Sequence, residues 1–320
     1  MNKNNPFKNL LNSEIVLFDA GAKGGNKDLE KLASRTKVYA FEPQPVEAEL
    51  LKRDILLIKK FSEYLIYTTA LSDRDGFADL NLANHSSMSS LLEPDFENYQ
   101  LHFGMMKGFA EWKNNIEVKE KVKVTTTSLD SFTEENKIPQ IDFLKLYTQG
   151  TELKILKGAK RLLENNLVSV IKTEVAFIPV YKEQCLFGDV DIFLREHNMH
   201  FVDCMFYENA AYQKTKRQNH LQLKDASRYS AGGDALYVVN IEKVNPQFKK
   251  ETALRTGMIL AELNYKSLAF NFLHVHAHLE EKAAINLIRF LSKRNFRQQM
   301  KLTIKNWCPP KLLYMLKNML

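Results

Sequence analysis

The chain has 320 residues, 45% of them apolar, which at roughly 150 residues per domain allows two domains or one large one with an appendage. No run approaches the ~18 uncharged apolar residues of a spanning helix, the N-terminal MNKNNPFKNLLNSE lacks the order of a secretory signal, and Cys185, Cys204 and Cys308 show no CxxC spacing; a cytoplasmic protein without disulfide or zinc framework is expected. The net charge of +7 is uneven: residues 249–320 hold 13 Lys and Arg against 4 Glu, the first 248 sum to about −2, and the basic character therefore belongs to the tail.

In chain order, strand-like runs appear at 15–19, 37–42, 63–70, 141–147, 167–175, 199–207 and 235–240. Several are almost continuously apolar, as strands buried on both faces must be. Helical patterns stand between them at 26–34, 45–53, 150–165 and 188–197. This alternation predicts an α/β fold with a mostly parallel sheet covered by helices on both faces. Residues 81–122 are too long for an ordinary connection and read as an insertion over the sheet, and 210–233 reads as a polar loop. After Asn245-Pro246 the pattern is helical, with Ala284, Leu287, Ile288 and Leu291 on one line and Phe296, Met300, Thr303 and Trp307 continuing it to Pro309-Pro310. The expected division is 1–245 and a helical extension, 246–320.

Three of the twelve glycines fall within five residues, in FDAGAKGG, between the first strand and the next helical pattern. Glycine there lets the backbone approach a ligand at the C-terminal edge of a sheet. Glu42 ends the second strand, 23 residues beyond Asp19, where a carboxylate can accept both hydroxyls of a ribose. A dinucleotide site requires GxGxxG, whereas this loop opens with the carboxylate Asp19, which repels a phosphate. A pocket flanked by Asp19 and Glu42 suits a cationic adenosine ligand, S-adenosylmethionine, better than a nicotinamide dinucleotide.

Several motifs in order resemble the FkbM-type methyltransferases: FDAGAKGG, YAFEPQP, ALSDRDG, SMSSLLEP, TTTSLDSF, IDFLKLYTQGTELKILKGAKRLLE and IKTEV, within a match running from about residue 16 to 240. The resemblance implies a Rossmann-like class I methyltransferase sheet using S-adenosylmethionine, with O-methylation of a hydroxyl on a glycan or other natural product. Carried over by position, it places Asp19, Gly21 and Gly25 by the methionine, Glu42 on the ribose, Ser89 and Ser90 by the methionine end or the substrate, and Asp130 at the strand edge. Asp130 reads equally as a helix cap.

One departure bears on catalysis. Where the family has an aspartate at the end of the fourth strand the chain has Tyr147, and the acidic residue two places on is Gln149. An alcohol acceptor must lose its proton as its oxygen attacks. Glu174 is the first candidate base and Glu152 the second, with Tyr147 and Lys145, on one strand face, beside the substrate; both glutamates could instead be structural. The alternative function is a catalytically inactive binding or scaffold protein that keeps the fold.

In the tail Lys293, Arg297, Lys301 and Lys305 recur at four-residue steps beside the apolar line. Like charges at that spacing disfavour a helix, so an anionic partner or a membrane surface would relieve them, while a solvated helix face is the plainer reading and nucleic acid is the least favoured partner. His274, His276 and His278 lack a third ligand at metal-site spacing apart from Glu281, and no metal is expected.

Overall fold

The computed structural model describes residues 10–54, 58–103, 108–207 and 230–292. Its strands are β1 (Ile15–Ala20), β2 (Thr36–Phe41), β3 (Glu63–Tyr67), β4 (Ala70–Ser72), β5 (Gly76–Ala83), β6 (Val118–Ser128), β7 (Ile141–Leu146), β8 (Val168–Ala176), β9 (Met199–Phe206) and β10 (Gly232–Val239). Its α-helices are α1 (Pro45–Arg53), α2 (Phe96–Phe103), α3 (Phe109–Ile116), α4 (Leu129–Glu135), α5 (Glu152–Lys157), α6 (Lys160–Glu164), α7 (Phe187–Glu196), α8 (Pro246–Glu262), α9 (Lys266–Phe270) and α10 (Glu281–Ser292).

Seven strands make the central sheet in the order β3-β2-β1-β7-β8-β10-β9. All neighbours are parallel except β10, which runs antiparallel to both β8 and β9. The expected mostly parallel sheet is therefore present, with its reversed strand near one edge. Alternate residues of β1, Ile15 and Leu17 on one face and Phe18 and Ala20 on the other, are equally buried, which explains the unbroken apolar runs. On the Phe18 face, Tyr39, Phe41 and Tyr67 line up across neighbouring strands and Phe132 of α4 meets Phe18 and Phe41 edge-on, at 5.8 and 4.9 Å between ring centres.

Four expectations change. Residues 26–34 form turns ending in a 3₁₀ turn at Ala33–Arg35, not a helix. Asn26 accepts from the Asp28 and Leu29 amides through its side chain, and Glu262 from distant α8 accepts from Lys31 and Leu32, so these amides are satisfied without a helical ladder. The helix expected at 150–165 is broken into α5 and α6 at Gly158, where a Cβ would lie 2.2 Å from the Ser72 carbonyl oxygen. The run at 63–70 splits between two sheets, β3 in the large one and β4 in a small one of order β4-β6-β5. Residues 81–122 are thus not a pure insertion: β5 and β6 pair antiparallel, and α2 and α3 lie between them in the chain.

The tail is also less separate than a boundary at 245 suggests. Ala253, Met258, Ile259, Leu273, Leu287 and Leu291 belong to the same buried cluster as the sheet. Gly257 lies so close to Leu273 that a Cβ would approach its Cγ to 2.6 Å. Arg255 reaches buried Asp142 at 3.3 Å, and Asp142 also accepts from the Val16 amide and Gln140, tying α8 to β1 and β7. α10 buries the expected Ala284, Leu287, Ile288 and Leu291. The rest of the apolar line and the basic stripe Lys293, Arg297, Lys301 and Lys305 lie outside the described residues. Among the described residues no helix is long and apolar enough to cross a membrane.

Candidate active site

The strand order reverses between β1 and β7, and open α/β sheets bind ligands beyond the C-terminal strand ends at such a point. There a cavity of about 410 Å3 is lined by Gly21 and Gly24 after β1, Glu42 and Gln44 after β2, Ser89 and Ser90 from the loop after β5, and Lys145, Tyr147 and Gln149 of β7 and its loop. Gly21 has φ of 72° and its amide donates to the Phe41 carbonyl; a Cβ there would stand 2.0 Å from the Tyr147 carbonyl oxygen. Only glycine lets the β1 and β7 loops meet at this floor.

Glu42 is buried, and one carboxylate oxygen accepts from the Gln44 amide at 3.0 Å. Burial pushes its pKa up to about 7, with Glu47 adding to the rise and the Gln44 amide and Lys23 opposing it. It is the carboxylate that lines the cavity. Asp19 and Gly25 do not reach the wall. Asp19 is fully buried, with one oxygen 2.6 Å from the Lys145 ammonium and the other unpartnered, and Gly25 closes a turn by donating to the Ala22 carbonyl. Burial raises the Asp19 pKa against the pull of Lys145, whose ammonium is in turn held protonated by Asp19. The charge ascribed to Asp19 from sequence is thus matched inside the protein, and among the described residues Glu42 is the carboxylate that faces the cavity.

Ser89 and Ser90 shape the cavity rim. Ser89 accepts from the Ala83 amide and Ser90 donates to the Gln149 carbonyl at 2.7 Å. Lys23 contacts Ser86 and pairs with Glu47 at 3.1 Å, fastening this loop to α1 across the cavity. Asp130 accepts from the Arg161 and Leu162 amides, capping α6 rather than its own helix, which Ser128 caps.

A second cavity, about 200 Å3, adjoins the first and shares Gln149 with it. Glu152, Glu174, Tyr181 and Tyr207 line it together with Met88, Trp112, Ile116 and Val180. The two glutamates differ. Glu152 accepts from the Thr148 and Gly150 amides and the Thr148 hydroxyl, the group's role at a helix start. Glu174 accepts from the Gln149 side-chain amide at 3.0 Å and the Tyr207 hydroxyl at 3.3 Å, and among the described residues takes no backbone donor. Burial, with Glu152 and Asp234 nearby, raises its pKa to about 8. Gln149 sits at φ 58°, an uncommon conformation for a non-glycine, and its side-chain oxygen accepts from Tyr181.

Tyr147 stands apart from the candidate base. Lys145 and Lys172 lie over its ring at 4.7 and 5.6 Å, and Lys172 pairs with Asp28 at 2.9 Å. The aspartate expected by resemblance is therefore replaced by a ring that covers two neutralised lysines. Sequence reading missed Tyr181, Tyr207 and Asp234. None carries a motif, and Asp234 enters because antiparallel pairing of β10 sets it opposite Glu174. The histidines of the tail have separate partners: His274 meets the Leu279 carbonyl and His276 lies 3.5 Å from Glu242.

These residues fit S-adenosylmethionine: a glycine floor that a Cβ would fill, a buried carboxylate for a ribose, and a cavity of the size that holds such ligands. The methyltransferase sdnD of Sordaria araneosa is 27% identical over 159 residues, 46% of this chain; the chain spans 61% of that relative's length. A methyltransferase FkbM crystal structure from Methylobacillus flagellatus KT is 14% identical, covers 71% of this chain and 43% of its own, and superposes with a TM-score of 0.35. The magnesium protoporphyrin IX methyltransferase of Synechocystis PCC 6803, solved with bound SAM, is 9% identical, covers 71% of each chain and gives a TM-score of 0.33. The Methyltransferase FkbM domain matches residues 19–201, more than half of the sequence and the stretch that lines the larger cavity, and the chain belongs to that family.

Proposed function

We propose that the protein is an O-methyltransferase that takes S-adenosylmethionine in the larger cavity and methylates a hydroxyl of a glycan or other natural product held in the smaller one. The observation that carries this reading is Glu174, a half-buried carboxylate with no backbone donor among the described residues, on the wall of the smaller cavity and joined through the Gln149 side chain to the larger one. S-adenosylmethionine supplies a methyl group already activated by its sulfonium.

The chain's own residues supply position, a base and dryness. Glu42 accepts the ribose hydroxyls, and Gly21 keeps the loop low enough for the ligand to lie against the strand ends. Gln149 donates to Glu174 and holds its carboxylate toward the joint between the cavities. Glu174 takes the acceptor's hydroxyl proton, and its raised pKa makes it a stronger base than an ordinary carboxylate. Met88, Trp112, Ile116 and Val180 exclude water. Most of the rate comes from holding the two reactants together, a term that can reach ~7–11 kcal/mol.

The test has two parts. Calorimetric titration with S-adenosylmethionine should show binding by the wild type and its loss in Glu42→Ala. Transfer of labelled methyl from S-adenosylmethionine to a panel of neutral sugars and polyketide alcohols should then show turnover. Turnover should fall by roughly 10²–10⁴ in Glu174→Gln while S-adenosylmethionine binding is kept. Binding without turnover across the panel would favour the non-catalytic alternative.

A further inference from the structure

A half-buried base in a cavity wall must be emptied after each turnover, and the side chains around Glu174 leave few routes. One oxygen receives the Gln149 amide, which carries no transferable proton. Glu152 is enclosed by the Thr148 and Gly150 donors. The Tyr181 hydroxyl is directed to the Met88 carbonyl and Gln149, and that residue is 3% exposed. Lys145 is paired with Asp19, and Lys172 with Asp28. Tyr147 has its ring beneath the two lysines and its hydroxyl toward Asp234.

Tyr207 is different. It is 38% exposed, and its hydroxyl stands between two carboxylates, 3.3 Å from Glu174 and 2.5 Å from Asp234. Asp234 lies on β10 directly opposite Glu174 of β8, and Lys172 approaches it to 3.9 Å. Resting on the reading of Glu174 as base, we infer that Tyr207 and Asp234 are positioning residues that carry the acceptor's proton from Glu174 out to solvent. In this step the Glu174 O–H bond breaks as a new O–H forms on the Tyr207 oxygen. The proton Tyr207 held passes to Asp234, which releases it to water, and no electrons change hands. Burial and the two carboxylates hold the Tyr207 hydroxyl far above its ordinary pKa, so both protons move together and no phenolate forms. The geometry also gives the two residues opposite effects on Glu174: Tyr207 donates to its carboxylate, and Asp234 faces it with like charge.

The experiment needs no acceptor. The full chain is titrated while the protonated-carboxyl infrared band is followed, with Glu174→Gln identifying the Glu174 contribution. Relaxation of that band after an upward pH jump gives the rate of proton loss. Tyr207→Phe should raise the Glu174 pKa, Asp234→Asn should lower it, and Tyr207→Phe should slow proton loss at least tenfold, whereas Tyr181→Phe should leave that rate unchanged. A rate unaltered by Tyr207→Phe, or equal slowing in Tyr181→Phe, would overturn the relay. If Glu174→Gln removes no titrating band, the assignment of Glu174 as base fails first, and the two failures are separable. Far-ultraviolet circular dichroism identical to wild type qualifies each variant as folded.

Discussion

At the scale of single residues, the site is governed by what each side chain leaves unpaired. Glu152 is buried and Glu174 half-buried on the same cavity, and three donors converge on the first while two side chains attend the second. Glu42 is set apart by burial without a cationic partner at hydrogen-bond distance, which holds it at about 7. Below that pH it is mostly protonated and neutral, and above it the carboxylate accepts both ribose hydroxyls and attracts a cation. Affinity for S-adenosylmethionine should therefore rise several-fold between about pH 6 and pH 8, and calorimetry on Glu42→Gln should find weak, pH-independent binding. At Gly21 a side chain would meet both a backbone oxygen and a disfavoured φ. Gly21→Ala should cost on the order of 2 kcal/mol or more in denaturant unfolding and abolish cofactor binding. FDAGAKGG was legible because glycine is required there by geometry. The silence of Asp19 was not legible, since its partner Lys145 is 126 residues away.

At the scale of elements, secondary structure follows local pattern where the sheet buries both faces and departs from it where a distant group intervenes. The turns at 26–34 exist because Glu262 of α8 takes two of their amides. Burial raises the pKa of Glu262 to about 7, with Glu30 adding to the rise and the Lys31 and Leu32 amides and the Lys31 charge opposing it. A carboxyl raised in the folded state contributes stability fully below its unfolded value near 4.5, and that contribution is lost as pH rises through 7. Wild-type stability should accordingly fall between about pH 5 and pH 8 more steeply than that of Glu262→Gln, as read by urea unfolding at each pH. Arg255 makes a second long-range tie. Arg255→Ala leaves Asp142 buried without its cation and should destabilise by ~3–5 kcal/mol, whereas a paired Asp142→Asn, Arg255→Met change should recover much of the loss.

At the scale of the whole molecule, α8 and α10 complete the core rather than extend it. Sheet residues and Leu273, Leu287 and Leu291 share one apolar cluster, so removal of 246–320 should expose one side of that core. Such a truncated chain should lose cooperative thermal unfolding and near-ultraviolet dichroism, and a folded, binding-competent fragment would show that the helices are dispensable.

The sequence by itself determined the parallel strands, the glycine floor and the carboxylate at the end of β2, because burial on two faces and a forced backbone conformation restrict residue type locally. Residues 63–70, 150–165 and 26–34 misled for one common reason: each is broken or redirected by contact with a segment far away in the chain, Gly158 against Ser72 and the 26–34 amides against Glu262. Only the tertiary structure decided which charges remain free. Strand register sets Lys145 beside Asp19 and Asp234 opposite Glu174, and burial then moves each proton equilibrium; neither register nor burial is written in the residues on either side of a carboxylate.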